Sequence, residues 1–116
     1  MSFNEDLRNR TKNFAIEAIK FFKALPKTTE AQIIGKQFLR SVTSVAANFR
    51  AAARARSKAE FFSKISIVVE EADEVVFWIE LLEGSGIVDK KKTEGIYDEA
   101  VQILKILSST RKHNKL

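Results

Sequence analysis

Residues 57–83 read SKAEFFSKISIVVEEADEVVFWIELLE, and the spacing of apolar residues in this stretch decides the fold. Phe61, Ile65, Val68, Ala72, Val75, Ile79 and Leu82 follow one another in alternating steps of four and three, a seven-residue repeat kept from end to end. That period belongs to a long helix with one buried stripe, which needs other helices to cover it. Ser57 followed by Glu60 matches a capping box and starts the helix. Gly84-Ser85-Gly86 supplies a left-handed stop after about residue 83. At about 100° per residue, Phe77 and Leu81 point about 160° to 180° away from the stripe, and Trp78 lies between the two directions. One bundle core cannot bury all three, so Phe77, Trp78 and Leu81 are subunit-interface candidates; the alternative is a terminus or the fourth helix wrapping that face.

The preceding segment reads as a helix over about 29–54, opened by a capping-box match from Thr29 to Gln32 and roughly 39 Å long at 1.5 Å per residue. Ile34, Phe38, Ser41, Val45, Phe49 and Ala52 share about one third of its circumference, with Lys36, Arg40, Arg50 and Arg54 opposite. Gln37, Ser44 and Asn48 form a seam beside the apolar stripe. Ser and Asn are poor helix formers because they compete for backbone hydrogen bonds, so their recurrence points to a buried contact needing small or polar groups. Two readings stand for this seam: hydrogen bonding between helices of one subunit, or a subunit interface.

A first helix is expected over about 4–25, capped by Ser2 with Glu5 and lined by Leu7, Phe14, Ala18, Phe21 and Leu25. Pro26 ends it by disfavouring helical geometry at its predecessor. A fourth is expected over about 89–110, with Asp89 as N-cap and Ile96, Ala100, Ile103 and Leu107 inward. The tail Arg111-Lys112-His113-Asn114-Lys115-Leu116 is expected to fray. Short connections between long helices favour antiparallel neighbours, so the fold class is all-α: one domain over 1–116, an up-down-up-down four-helix bundle with crossings near 20°.

Composition agrees with this reading. At 116 residues there is room for a single modest core, and one Pro with four Gly favours long uninterrupted helices. Cysteine is absent, which excludes a disulfide framework and a thiol nucleophile. Glu5, Asp6, Arg8 and Arg10 interrupt the N-terminus and no apolar run reaches membrane length, so a soluble, cytoplasmic protein with no signal peptide is expected.

Three groups of residues carry a resemblance: Arg40-Ser41 with Ser44-Val45-Ala46-Ala47-Asn48-Phe49-Arg50, then Ser57-Lys58-Ala59-Glu60-Phe61, then Glu71-Ala72 with Glu74 leading into Phe77-Trp78-Ile79-Glu80-Leu81-Leu82. Together they resemble, almost end to end, the bacterial four-helix-bundle proteins encoded in intervening sequences of 23S rRNA genes, the S23 ribosomal protein family. That family commonly places a glutamate shortly after the asparagine, where this chain has Ala51 and Ala52, so no role of that carboxylate carries over. The resemblance implies a cytoplasmic bundle assembled as a ring, typically a homo-pentamer, with a nucleic-acid-linked role. It also implies a relation to the accessory proteins of diversity-generating retroelements, which bind a reverse transcriptase and RNA.

No reaction is legible in the residues, and a non-enzymatic protein without cofactor or metal is expected. Glu70, Glu71 and Glu74 evoke the carboxylate-bridged metal bundles, but the only histidine, His113, sits in the tail. Ser41 and Ser44 have no base beside them, and Gly84 with Gly86 is too short for a phosphate loop. Charge is more informative. The net +5 is distributed in blocks: +6 over residues 35–64, −7 over 65–89 and +4 over 90–116. Lys36, Arg40, Arg50 and Arg54, continued around a turn by Arg56 and Lys58, are therefore the nucleic-acid-binding candidates, although a solvated helix face is the ordinary reading of such a stripe. It carries no aromatic for base stacking, so contact with RNA or DNA would be backbone-directed. Two function classes follow: a nucleic-acid-binding oligomer, or an assembly module that docks a protein partner.

Overall fold

The computed structural model describes residues 2–114. It contains four helices: α1 (Phe3–Lys23), α2 (Thr29–Ala52), α3 (Lys58–Gly84) and α4 (Lys90–His113). α2 packs on α3, α3 on α4 and α1 on α2, while α4 returns to α1 much more lightly. α1 and α3, like α2 and α4, are diagonal to each other in this antiparallel bundle, which measures 45 × 25 × 19 Å.

The apolar stripes meet where periodicity puts them. Phe38, Phe49, Ile65, Ile79, Ile103 and Leu107 are fully buried in one continuous core, and Phe21 meets Phe38 edge to face with ring centroids 5.4 Å apart. Leu25, Leu82 and Val88 form a smaller cluster at the end that holds the α1–α2 and α3–α4 turns. There α1 and α2 approach closely: a Cβ on Gly35 would lie 2.5 Å from Leu25 Cδ1 and 3.1 Å from the Phe22 ring. Three polar side chains, Thr11, Ser41 and Thr93, are buried as well. Thr93 satisfies its hydroxyl on Glu83 Oε2 at 2.9 Å, linking α4 to α3.

Two of the helix starts differ by one residue from the pattern that their capping residues predict. Ser2 Oγ accepts from Glu5 N at 3.1 Å, and Ser57 Oγ accepts from Glu60 N at 3.1 Å. The Glu60 carboxylate reaches back past Ser57 to accept from Arg56 N at 2.9 Å, so this capping box is displaced by one residue. At α2 the N-cap is Thr28, not Thr29, and Gln32 donates to the Pro26 carbonyl at 2.9 Å instead of closing a box. Asp89 occupies the N-cap of α4 but makes no side-chain capping bond. Gly86 adopts a φ of 78°, the left-handed stop expected after α3.

The expected fraying at Arg111 is corrected, because α4 continues through His113. Arg111 stacks over Phe62 with 5.7 Å to the ring centroid, Asn114 Nδ2 donates to the Thr110 carbonyl at 2.8 Å, and the cationic last turn complements the helix dipole. Lys115 and Leu116 lie outside the described residues.

Candidate assembly and nucleic-acid surfaces

Among the described residues, Arg40 has more side-chain partners within the chain than any other of the candidate cations. It projects from α2 toward α3, where NH1 donates to Glu71 Oε2 at 3.2 Å and NH2 to Glu74 Oε1 at 3.0 Å. Its Nε donates to Gln37 Oε1 at 3.1 Å, and NH2 also lies 3.1 Å from the buried Ser41 hydroxyl. Arg40 is thus the centre of a clasp between two helices, and its charge is neutralised within the chain. The same clasp accounts for Glu71 and Glu74. Among the described residues, no group of three or more His, Cys, Asp or Glu side chains is placed to hold a metal ion.

The remaining candidate cations, Lys36, Arg50, Arg54, Arg56 and Lys58, are exposed and form no ion pair among the described residues. They divide along the bundle. Lys36 stands toward one end, whereas Arg50, Arg54, Arg56 and Lys58 gather around the α2–α3 turn at the other. A cleft of about 360 Å³ at that turn is lined by Arg56 and Lys58 on one side and by Thr110 and Asn114 of α4 on the other. The end of α4 therefore adds Arg111 and Lys112 to the same pole of the molecule. In the sequence these two groups of cations stand more than fifty residues apart, and only the antiparallel return of α4 unites them.

Among the described residues, Gln37, Ser44 and Asn48 make no hydrogen bond between helices. Asn48 Nδ2 donates to Ser44 Oγ at 2.9 Å within α2, Ser44 and Asn48 are half-buried, and Gln37 is exposed. The seam therefore lies at the edge of the α2–α3 contact, outside the core. The register set by Arg40 against Glu71 and Glu74 puts Ser44 opposite the α3 segment around Ile67 and puts Ile33 opposite the turn from Trp78 to Leu81.

On this α2–α3 face four large apolar residues are exposed: Ile33 at 60%, Phe77 at 51%, Ile67 at 49% and Leu81 at 36%. Ile33 and Ile67 each fall outside their helix's apolar stripe, and only the pairing of α2 with α3 joins them to Phe77 and Leu81. Trp78 is half-buried with its ring 5.0 Å from Phe77, edge to face. Its Nε1–H is buried and has no acceptor among the described residues, a desolvation penalty the isolated chain leaves uncompensated.

A second surface has no signature in the sequence. Because α1 and α4 approach only lightly, a cleft of about 790 Å³ opens between them, floored by Phe14, Phe21 and Ile96. Arg10 and Glu99 close it at one point through a bidentate pair, Nε to Oε2 at 2.9 Å and NH2 to Oε1 at 2.7 Å. That hydrogen bonding to Glu99 raises the Arg10 pKa above its ordinary value, although burial opposes it.

These features define a class: an antiparallel four-helix bundle whose distinctive chemistry lies on its outer faces. No helix among the described residues is long and apolar enough to cross a membrane. The family model described as 23S rRNA-intervening sequence protein matches residues 4–109, and the chain belongs to that family. A similar solved structure is the crystal structure of a protein of unknown function from the S23 ribosomal protein family of Bacteroides thetaiotaomicron, 32% identical, with a TM-score of 0.85 over 94% of this chain and 97% of that one. Among curated proteins, no match to this chain was found.

Proposed function

We propose that this protein is a non-enzymatic, cytoplasmic assembly module: a homo-oligomer, of the pentameric kind that the family resemblance implies, which carries structured nucleic acid on its basic surfaces. The observation that carries the assembly is the α2–α3 face. Four exposed large apolar side chains beside a tryptophan with an unsatisfied N–H are costly on a small monomer and typical of a protein interface. Light scattering tests it. A mass of several protomers across micromolar concentrations is expected, and a protomer mass throughout would overturn the assembly; the apolar face would then read as the docking surface for another protein, such as a reverse-transcriptase-like partner.

The nucleic-acid part rests on the basic pole formed by Arg50, Arg54, Arg56 and Lys58 with Arg111 and Lys112. Symmetric repetition multiplies this pole, and phosphate affinity rises steeply with the number of neutralised charges. Fluorescence anisotropy with structured RNA and duplex DNA should show binding that weakens with salt, with a log-log slope of about −0.7 to −0.9 per phosphate contact. Charge reversal at Arg54 and Arg111 should abolish it. Binding that survives that double reversal, or no binding at low salt, refutes this part of the reading.

A further inference from the structure

The basic pole carries more than cations. Two clefts open there, one on each side of the last turns of α4. The first, of about 360 Å³, sets the Phe3 and Phe61 rings beside Arg56 and Lys58. The second, of about 230 Å³, sets Phe62 beside Arg111 and Lys112. Phe61 and Phe62 are consecutive on α3 and point about 100° apart, so one helix serves both clefts. The cationic stripe of α2 has no aromatic of its own; α1 and α3 bring the rings to it.

We infer that these clefts hold unpaired bases, so that the pole grips a single-stranded segment of nucleic acid, such as a loop, a bulge or an end, more tightly than a duplex. This rests on the nucleic-acid reading above and specifies which part of the structured molecule is bound. Charge supports it first. Neither cleft is lined by a carboxylate, whereas Asp6, Glu17 and Glu99 line the α1–α4 cleft. Glu60, on the same turn, is engaged by Arg56 N at 2.9 Å and lies 3.9 Å from Lys64 Nζ. Arg56, Lys58, Arg111 and Lys112 form no ion pair among the described residues, so a phosphodiester laid along them meets uncommitted cations.

The rings are the independent sign. Phe3 is 55% exposed, and Phe61 and Phe62 are half-buried. Aromatic faces in a cationic groove are what single-strand binding uses, since every base has a face to stack. Arg111 already lies over Phe62, 5.7 Å from the centroid, and the outer face of its planar guanidinium can extend that stack to a base. Asn4 and Asn114 on the first cleft add amide groups that can pair with base edges. In a duplex the bases are stacked on one another and their faces are out of reach.

Charge and stacking predict opposite preferences, which makes the test decisive. A duplex has the higher charge density, so charge alone would favour it. Fluorescence anisotropy compares an RNA strand of about 12 nucleotides, alone and annealed to its complement. The strand alone should bind more tightly. Phe3→Leu keeps apolar bulk and removes the flat ring, and should weaken the strand by about 5- to 140-fold, the cost of one lost stacked base, with duplex affinity and salt slope unchanged. Phe62→Leu should do the same at the second cleft, and Phe3→Trp should restore strand binding. Arg56→Ala, by contrast, should weaken both ligands and reduce the salt slope by about one unit. Phe3 stands at the exposed start of α1, and unchanged helical circular dichroism checks that its replacement leaves the fold intact. A duplex that binds as tightly as the strand, or strand affinity unchanged in both leucine variants, overturns the stacking and leaves the basic pole standing. Polyglutamate that competes as well as the strand also overturns it. No binding of either RNA at low salt removes both readings together.

Discussion

Replacing Arg40 by methionine keeps an unbranched stem and removes the guanidinium with its charge, and the loss of the clasp has a magnitude set by the exposure of its partners. Arg40 faces Glu71 and Glu74, whose side chains are 18% and 43% exposed, with Arg40 itself at 48%. Ion pairs at such exposure contribute about 0.2 to 1 kcal/mol each. The more sheltered Glu71 belongs near the upper figure and Glu74 near the lower. Losing both, and leaving Glu71 partly desolvated without its cation, should lower stability by about 1 to 1.5 kcal/mol, roughly 3 to 8 °C in Tm for a chain of this size. Urea unfolding at one fixed protomer concentration measures the change, and double-mutant cycles with Glu71→Gln and Glu74→Gln apportion it. Coupling should be larger for Glu71 and should shrink at 1 M salt, where the screening length falls to about 3 Å. Nucleic-acid affinity should be nearly unaffected, because the charge is already neutralised. Coupling energies near zero together with a loss of RNA binding equal to that of an Arg54 variant would refute the clasp and return Arg40 to the basic stripe.

Phe49→Ala should remove about 3 to 5 kcal/mol by leaving a cavity in the main core, enough to unfold much of the population on warming, as circular dichroism melting would show. Asn48→Leu deletes the bond to Ser44, whose half-exposed hydroxyl can turn to water, so the stability of the bundle should change by under about 1 kcal/mol while the mass of the assembly falls; an unchanged mass would take the seam out of the interface. Tyr97, the single tyrosine, donates to Glu80 Oε2 at 2.9 Å, and this bond holds its pKa above the ordinary value. The folded-state pKa lies above the unfolded one, so any stabilisation is present below about pH 10 and is lost as pH rises through the folded-state value. Ultraviolet titration of tyrosinate should show the raised midpoint, and Glu80→Gln should bring it back.

The helices and their inward faces were legible in the sequence because both depend on local periodicity. Phe61 to Leu82 on α3 and Phe38 to Ala52 on α2 repeat at helical spacing, and nearly every member of both stripes is buried. Where neighbouring residues were chemically equivalent, local reading faltered: Thr28 and Thr29 can each cap a helix, and the geometry of the Pro26 turn, with Gln32 donating to its carbonyl, selects Thr28. Pairings across helices were out of reach. Arg40 looked like one cation of a stripe until α3 brought carboxylates 31 and 34 positions away within 3.2 Å. The convergence of Arg56 and Lys58 with the end of α4, and the gap between α1 and α4, arise in the same way. Periodicity records which side of a helix turns inward. The distance between two helices, and which charges meet across it, depend on side-chain volumes and registers contributed by both partners at once, so only the tertiary structure decides them.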